Sequence, residues 1–367
     1  MKNCAVIGMG LLGTQHAQRL NDHDTTSVVA VCDIKREKAQ EWADANGAKA
    51  YTDFGEMFER EQIDILVIAT QDPYHKEPLL LACEKNIPYI ICEKPLCTTV
   101  EDVMEVKAAA EKSKSIIKVL FPNRFYPIDR SIRLLLEKGF IGQPEYGEFR
   151  IDDSIDVPLR LWGKDSKDFA SISSPAFFLL SHAVDLLFFM FQRKVEKVYA
   201  IGKKSIIGSD VDYMDCFLTF EGGFTVRLKS EWTKRIPRLC ENYLQFTCTA
   251  GGFIFNKTGG FQCDQGLSFV IDAGEAKANE AKALLEKHGC HATVECCGES
   301  GAYALVMREV DPGNAFDWNH GICIYADSFD KGESALSPLT SLEGGIEQAL
   351  VVDALLRSAK EGKEIVL

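Results

Sequence analysis

The sequence predicts a doubly wound α/β half followed by a strand-rich α+β half, and three observations carry that expectation. Up to residue 122, apolar strands alternate with helical segments. A glycine-rich turn, Gly8-x-Gly10-x-x-Gly13, joins the first strand to the first helix. Beyond residue 122 the helical alternation gives way to a run of strands. At 367 residues the chain exceeds what one core usually holds, so two domains are expected, 1–122 and 123–367.

The first half reads element by element. Cys4–Ile7 is a short apolar strand that runs directly into the glycine turn. Gly8 supplies the tight geometry, Gly10 lets a pyrophosphate approach the backbone, and Gly13 lets the helix pack close to the strand. The helix that starts at Leu11, Leu12 and Gly13 offers free N–H groups and a partial positive charge to phosphate. Val28–Cys32 is the second strand and ends on Asp33, 20 positions past Gly13, which suits a carboxylate that bonds ribose hydroxyls. Asp33 also repels a 2′-phosphate, so NAD is favoured over NADP, although Lys35 and Arg36 follow closely. Residues 36–46 are helical and stop at Gly47. A third strand at 48–51 leads to a helix over 54–60 that opens on Asp53 with Glu56. Residues 63–70 form a strand buried on both faces, followed by a helix over 75–86 and a strand over 88–92. A helix over 101–112, capped by Thr98 or Thr99, and a strand over 116–121 complete six strands with crossover helices.

In the second half an amphipathic helix over 128–138 ends at Gly139. Strands follow at 146–151, 195–201, 214–220, 224–232 and 243–249, with Glu221-Gly222-Gly223 as a hairpin turn. Alternation along 224–232 predicts a sheet with one face covered. A charged, alanine-rich helix near 275–287 lies in an expected insertion of about 264–318. A helix over 342–360 and a tail strand over 364–367 close the chain.

Bulk properties narrow the function classes. The net charge is −13 with no dense basic block, which argues against nucleic acid and anionic membrane as partners. The apolar stretch 175–191 is interrupted by Ser181, His182 and Asp185 and is too short and polar for a membrane span. No signal peptide precedes the first strand, and many of the 13 cysteines sit inside predicted strands, so a reducing, cytoplasmic setting is expected. Cys290, His291, Cys296 and Cys297 cluster, but without a CxxC pair they read as loop or core residues, and no metal is expected.

Two further loops follow strands at their carboxyl ends, where open α/β sheets bind ligands. They are Ala69-Thr70-Gln71-Asp72-Pro73-Tyr74-His75 and Cys92-Glu93-Lys94-Pro95-Leu96. A lysine held there can donate to a substrate oxygen or, with a lowered pKa, take a proton. Together with Asn123-Arg124-Phe125, Pro127, the helix bearing His182, the turn Thr249-Ala250-Gly251-Gly252 and the end Ser358-Ala359-Lys360-Glu361-Gly362, these residues resemble the Gfo/Idh/MocA oxidoreductase family over nearly the whole chain. The resemblance implies a Rossmann domain and an α+β domain with an open, mostly antiparallel sheet that often serves as an oligomer interface. It thus points to a homodimer or homotetramer through that sheet. It implies hydride transfer between nicotinamide and a carbon bearing a hydroxyl or carbonyl, on a sugar, inositol or glycoside. By the same resemblance Lys94 binds the reacting oxygen, Glu93 contacts cofactor, Thr70, Pro73 and His75 line the cofactor path, and Arg124 faces the substrate.

One position departs from that pattern. Typical members carry an aspartate four residues before the histidine matched by His182, and the two act together in proton transfer. Here that position is Phe178. By itself a histidine among Phe and Leu reads as a packed core residue; the resemblance makes it a pocket residue that acts with Lys94. Asp185, three residues on, reads as structural. Trp162, with Arg160 nearby, either closes over a sugar ring or anchors a solvated loop. The missing aspartate leaves a rival of another class, a catalytically weak NAD- and sugar-binding sensor.

Overall fold

The computed structural model describes residues 1–161, 166–208, 211–257, 266–297, 301–307, 321–330 and 339–367. The chain forms two units, Met1–Pro122 with Asp317–Asp353, and Asn123–Phe316 with Ala354–Leu367.

In the first unit, strands β1 (Lys2–Ile7), β2 (Thr26–Cys32), β3 (Lys49–Tyr51), β4 (Ile65–Ile68), β5 (Tyr89–Glu93) and β6 (Ile116–Leu120) alternate with helices α1 (Leu11–Asn21), α2 (Arg36–Asn46), α3 (Phe54–Arg60), α4 (Lys76–Glu84) and α5 (Val100–Lys112). The strands lie in the order β3-β2-β1-β4-β5-β6 and all pair in parallel. The strand β4 is buried along its whole length, because helices cover both faces of such a sheet. Local chemistry sets the helix ends. Asp53 accepts the Glu56 N–H, Thr99 accepts the Asp102 N–H, and Gly47 ends α2 in the left-handed region at φ 72°. The strand order reverses between β1 and β4, so the loops after these strands flank the switch point where ligands bind.

The second unit contains α6 (Pro127–Glu137), β7 (Pro144–Ser154), α7 (Asp156–Arg160), α8 (Ser166–Ile172), α9 (Ser181–Phe191), β8 (Val195–Lys203), β9 (Tyr213–Phe220), β10 (Thr225–Lys234), β11 (Cys240–Cys248), β12 (Gly251–Asn256), β13 (Gly266–Ile271), α10 (Gly274–Lys287), β14 (Thr293–Cys296) and β15 (Tyr303–Met307). The sheet order is β14-β15-β13-β12-β11-β7-β10-β9-β8. Pairing is antiparallel except between β7 and β10, which are parallel. Strand β7 runs past the expected end at 151 because Asp152, a poor strand former on its own, is neutralised by Arg150, Lys229 and Lys234 from the strand itself and its neighbour. Helix α9 packs on β7, and the turn before it packs on β10 and β7. On β10, Val226, Leu228 and Trp232 are buried while Arg227 is exposed, the alternation of a sheet covered on one side. Within the expected insertion, the described residues continue the sheet as β13, β14 and β15 with α10 packed on them. Residues 308–320 lie outside the described set.

The division into 1–122 and 123–367 needs a correction, because residues 317–353 belong to the first unit. Helix α11 (Gly321–Ser328) packs on α1 and β6, and β16 (Thr340–Ser341) extends the first sheet antiparallel to β6. The buried Tyr325 hydroxyl fastens this return: it donates to the Val119 carbonyl at 2.8 Å and accepts the Thr340 N–H at 3.1 Å. Helix α12 (Leu342–Glu361) starts on the first core through Leu342, Ile346 and Ala349 and passes to the second unit at Ala354. The closing strand β17 (Ile365–Val366) pairs with β8.

Candidate cofactor and substrate residues

The three turn glycines answer to different constraints. Gly8 has φ +91°, and a Cβ there would lie 2.5 Å from the Ala69 carbonyl oxygen, in the loop after β4. A Cβ on Gly13 would lie 1.7 Å from the Gly8 carbonyl oxygen. A Cβ on Gly10 would meet no protein atom within 4 Å, so nothing in the chain itself demands glycine there. Gly10 is the N-cap of α1, and the helix has neither a side-chain cap nor an acidic residue in its first turn, which begins with Leu11 and Leu12. A turn with open space at Gly10 and a helix start without an anionic cap fits a bound pyrophosphate. Asp33 stands beside it: one carboxylate oxygen accepts the Met9 N–H at 2.7 Å and the other accepts the Lys35 N–H at 2.8 Å. Each oxygen keeps a further lone pair for a ribose hydroxyl.

At the end of β5, Glu93 and Lys94 are both buried, and the Lys94–Pro95 peptide is cis. One Glu93 carboxylate oxygen bonds the His16 ring at Nε2 over 2.7 Å, and the other accepts the Lys94 N–H at 3.2 Å. Burial pushes the Glu93 carboxyl up, but the His16 hydrogen bond and the electrostatic influence of His16, Lys94 and His75 outweigh it, so it is held below its usual range. His16 has no forward signal in the sequence: its partner lies 77 residues away. His75 is fully buried and its ring nitrogens face the Pro95 and Thr70 carbonyls at 2.7 and 3.1 Å. It thereby joins the loops after β4 and β5. Thr70 donates to the Tyr74 carbonyl at 3.0 Å, and Pro73 sits in the single turn Asp72–Tyr74.

The second unit carries the other candidates. Arg124 donates through Nε and one η nitrogen to the two Asp185 oxygens at 2.8 and 2.6 Å, a bidentate buried pair, and lies over the Phe189 ring. Asp185 is thus an anchor for Arg124. His182 is buried in the first turn of α9. The chain enters α9 through a π-helical turn, Ala176–Leu180, in which the Ser181 N–H bonds five residues back to Ala176. The step from 178 to 182 therefore spans the junction of a π turn and an α-helix, not one regular α turn. Phe178 packs with Phe169 edge to face at 5.6 Å and with Trp232 at 5.8 Å, a cluster that fills the position of the family's aspartate with aromatic rings. Arg160 is exposed and pairs with Asp156 at 3.1 Å, and Trp162 lies outside the described residues.

The thiols of Cys4 and Cys32 are pushed up to about 12, chiefly by burial, so both stay protonated in the core. Cys290 is buried with its thiol 3.4 Å from the Pro127 carbonyl, and Cys296 is exposed. Among the described residues, no helix is long and apolar enough to cross a membrane.

Residues 2–121 match the Gfo/Idh/MocA family model described as an oxidoreductase family with an NAD-binding Rossmann fold, and residues 130–254 match that family's C-terminal domain. Over 225 residues the chain is 29% identical to a Thermotoga maritima protein named myo-inositol 2-dehydrogenase, covering 59% of this chain and 65% of that relative, a little under two thirds of its length. A Bordetella pertussis WlbA dehydrogenase solved with NADH and UDP-GlcNAcA aligns at a TM-score of 0.79 and 17% identity, covering 100% of this chain and 97% of that one. An Agrobacterium radiobacter oxidoreductase solved with NAD+, L-tartaric acid and magnesium aligns at 0.75 and 18% identity, covering 100% and 98%. At such identities the structural likeness speaks for the fold alone.

Proposed function

This chain belongs to the Gfo/Idh/MocA oxidoreductase family, and from that membership we propose that it is an NAD-dependent dehydrogenase acting on a C–OH or C=O carbon of a sugar, inositol or glycoside. The observation that carries the reading is Lys94, buried at the carboxyl end of β5 on a turn braced by Glu93. A nicotinamide cofactor held by these residues would supply the hydride-transfer chemistry. The backbone N–H groups from Gly10 through Leu11, Leu12 and Gly13 hold the pyrophosphate, with Gly8 shaping the turn. Asp33 takes the ribose hydroxyls and disfavours a 2′-phosphate, which selects NAD over NADP. Thr70, Pro73, His75 and Glu93 frame the cofactor, His75 through the loops it joins. Lys94 donates to the reacting oxygen, and His182 is the second proton-handling group. Arg124 and Trp162 serve the substrate side. The chain assembles as a homodimer or homotetramer through the open face of the second sheet.

The test is turnover with NAD over a panel of sugars, inositols and glycosides, repeated with Lys94→Ala. The variant is expected to lose turnover by at least about a thousandfold while NADH affinity stays within roughly threefold. Wild-type rates in the variant would remove Lys94 from the mechanism, and equal affinity for NADPH would remove the role given to Asp33.

Phe178 favours a second reading, a sensor that binds NAD and a sugar-like ligand without efficient turnover. Phe178 stands where typical members carry an aspartate, and its ring packs with Phe169 and Trp232. The sensor is supported if no panel member turns over while a sugar changes NADH affinity, and it is excluded by steady turnover.

A further inference from the structure

His16 and Glu93 form a buried pair between α1, the helix that begins at the glycine turn, and the turn that carries Lys94. Both Glu93 oxygens are used, one on His16 and one on the Lys94 N–H. His16 lies three residues beyond Gly13, and its Nδ1 has no hydrogen-bond partner among the described residues, so the Glu93 bond is what orients the ring.

We propose that His16 is a positioning residue that acts on Lys94 through Glu93, fixing the Lys94 turn against α1 and keeping a negative charge beside the lysine. The inference rests on the reading of Lys94 as the group at the reacting oxygen. The groups acting on the Glu93 carboxylate are His16 from α1, Lys94 from its own turn and His75 from the start of α4. Of these, His16 supplies the side-chain hydrogen bond. Without that donor a buried carboxylate binds its proton more tightly. A Glu93 that is protonated or turned away from an apolar ring at position 16 no longer sets its negative charge beside the Lys94 ammonium, and the lysine gives up its proton at lower pH.

The experiment compares His16→Phe, which fills the ring volume without a donor, with His16→Gln, whose amide nitrogen reaches toward the place of Nε2. The first readout is the pH-dependent reactivity of the Lys94 amine toward an amine-reactive reagent, followed by mass spectrometry, and it needs no turnover. The Lys94 titration is expected to move down by about one unit in His16→Phe and to return most of the way in His16→Gln. Glu93→Gln, neutral at every pH, is the second variant should His16→Phe fail to fold, and it is expected to move the titration in the same direction. In turnover, His16→Phe is expected to lose roughly tenfold or more in kcat with the substrate KM within about threefold. A Lys94 titration that stays in place in both His16→Phe and Glu93→Gln overturns the inference, as does His16→Gln behaving like His16→Phe. If the wild-type protein turns over no alcohol but the titration moves as expected, the linkage stands and the dehydrogenase reading falls.

Discussion

Glycine recurs three times in the turn after β1, and only two of those positions are dictated by the protein itself. Alanine at 13 puts a Cβ 1.7 Å from backbone, which no side-chain motion relieves. Alanine at 10 meets nothing. Gly13→Ala is therefore expected to cost several kcal/mol, on the order of 3 or more, and to lower the denaturation midpoint sharply. Gly10→Ala is expected to keep a near-native melting temperature and lose roughly tenfold or more in NADH affinity by fluorescence titration. Equal NADH affinity in Gly10→Ala and the wild type would remove Gly10 from the cofactor site. The sequence spacing alone pointed to this turn, because each glycine acts on neighbours a few residues away. It held no sign that His16 would bond Glu93 or that both Asp185 oxygens would engage Arg124, since those partners are 77 and 61 residues distant.

At the scale of elements, helices announced themselves through their caps, as Asp53, Thr99 and Gly47 show. The π turn at Ala176–Leu180 did not, because a change from i→i+4 to i→i+5 bonding depends on what the turn packs against. Phe178 in that turn forms an aromatic cluster with Phe169 and Trp232 beside the helix that carries His182. A carboxylate placed among those rings lacks a partner and is costly to desolvate. Phe178→Asp is thus expected to lower stability by about 3 kcal/mol in urea unfolding rather than to restore the family's histidine–aspartate pair. A variant of unchanged stability with faster turnover would show that the site accommodates the charge. The parallel pairing of β7 with β10 was equally silent in the sequence, where period-two alternation reports which face is buried and not which strand lies alongside.

For the whole molecule, the open face of the second sheet is the surface proposed to pair with a second copy. Tyr146, Tyr199, Ile201, Phe217, Ile254 and Val270 are all exposed on it, a row of apolar side chains of the kind that marks interaction sites. Among them Arg227 is paired within the chain with Asp215 at 2.7 Å. Phe217, 44% exposed and opposite both Tyr199 and Arg227, is central to the row. Phe217→Lys sets a second cation beside Arg227 and is expected to yield monomers by light scattering at concentrations where the wild type is a dimer or tetramer. A monomeric wild type would end the proposal. The sequence by itself determined the first half of this protein: six strands, their crossover helices, the glycine turn and Asp33. All of these follow from local periodicity and from turn chemistry within a few residues. Only the tertiary structure decided that residues 317–353 return to the first unit, that His16 bonds the Glu93 of the Lys94 turn, and that Phe178 packs with Phe169 and Trp232. Each depends on contacts between distant segments, and a linear pattern carries no record of which buried group will meet which.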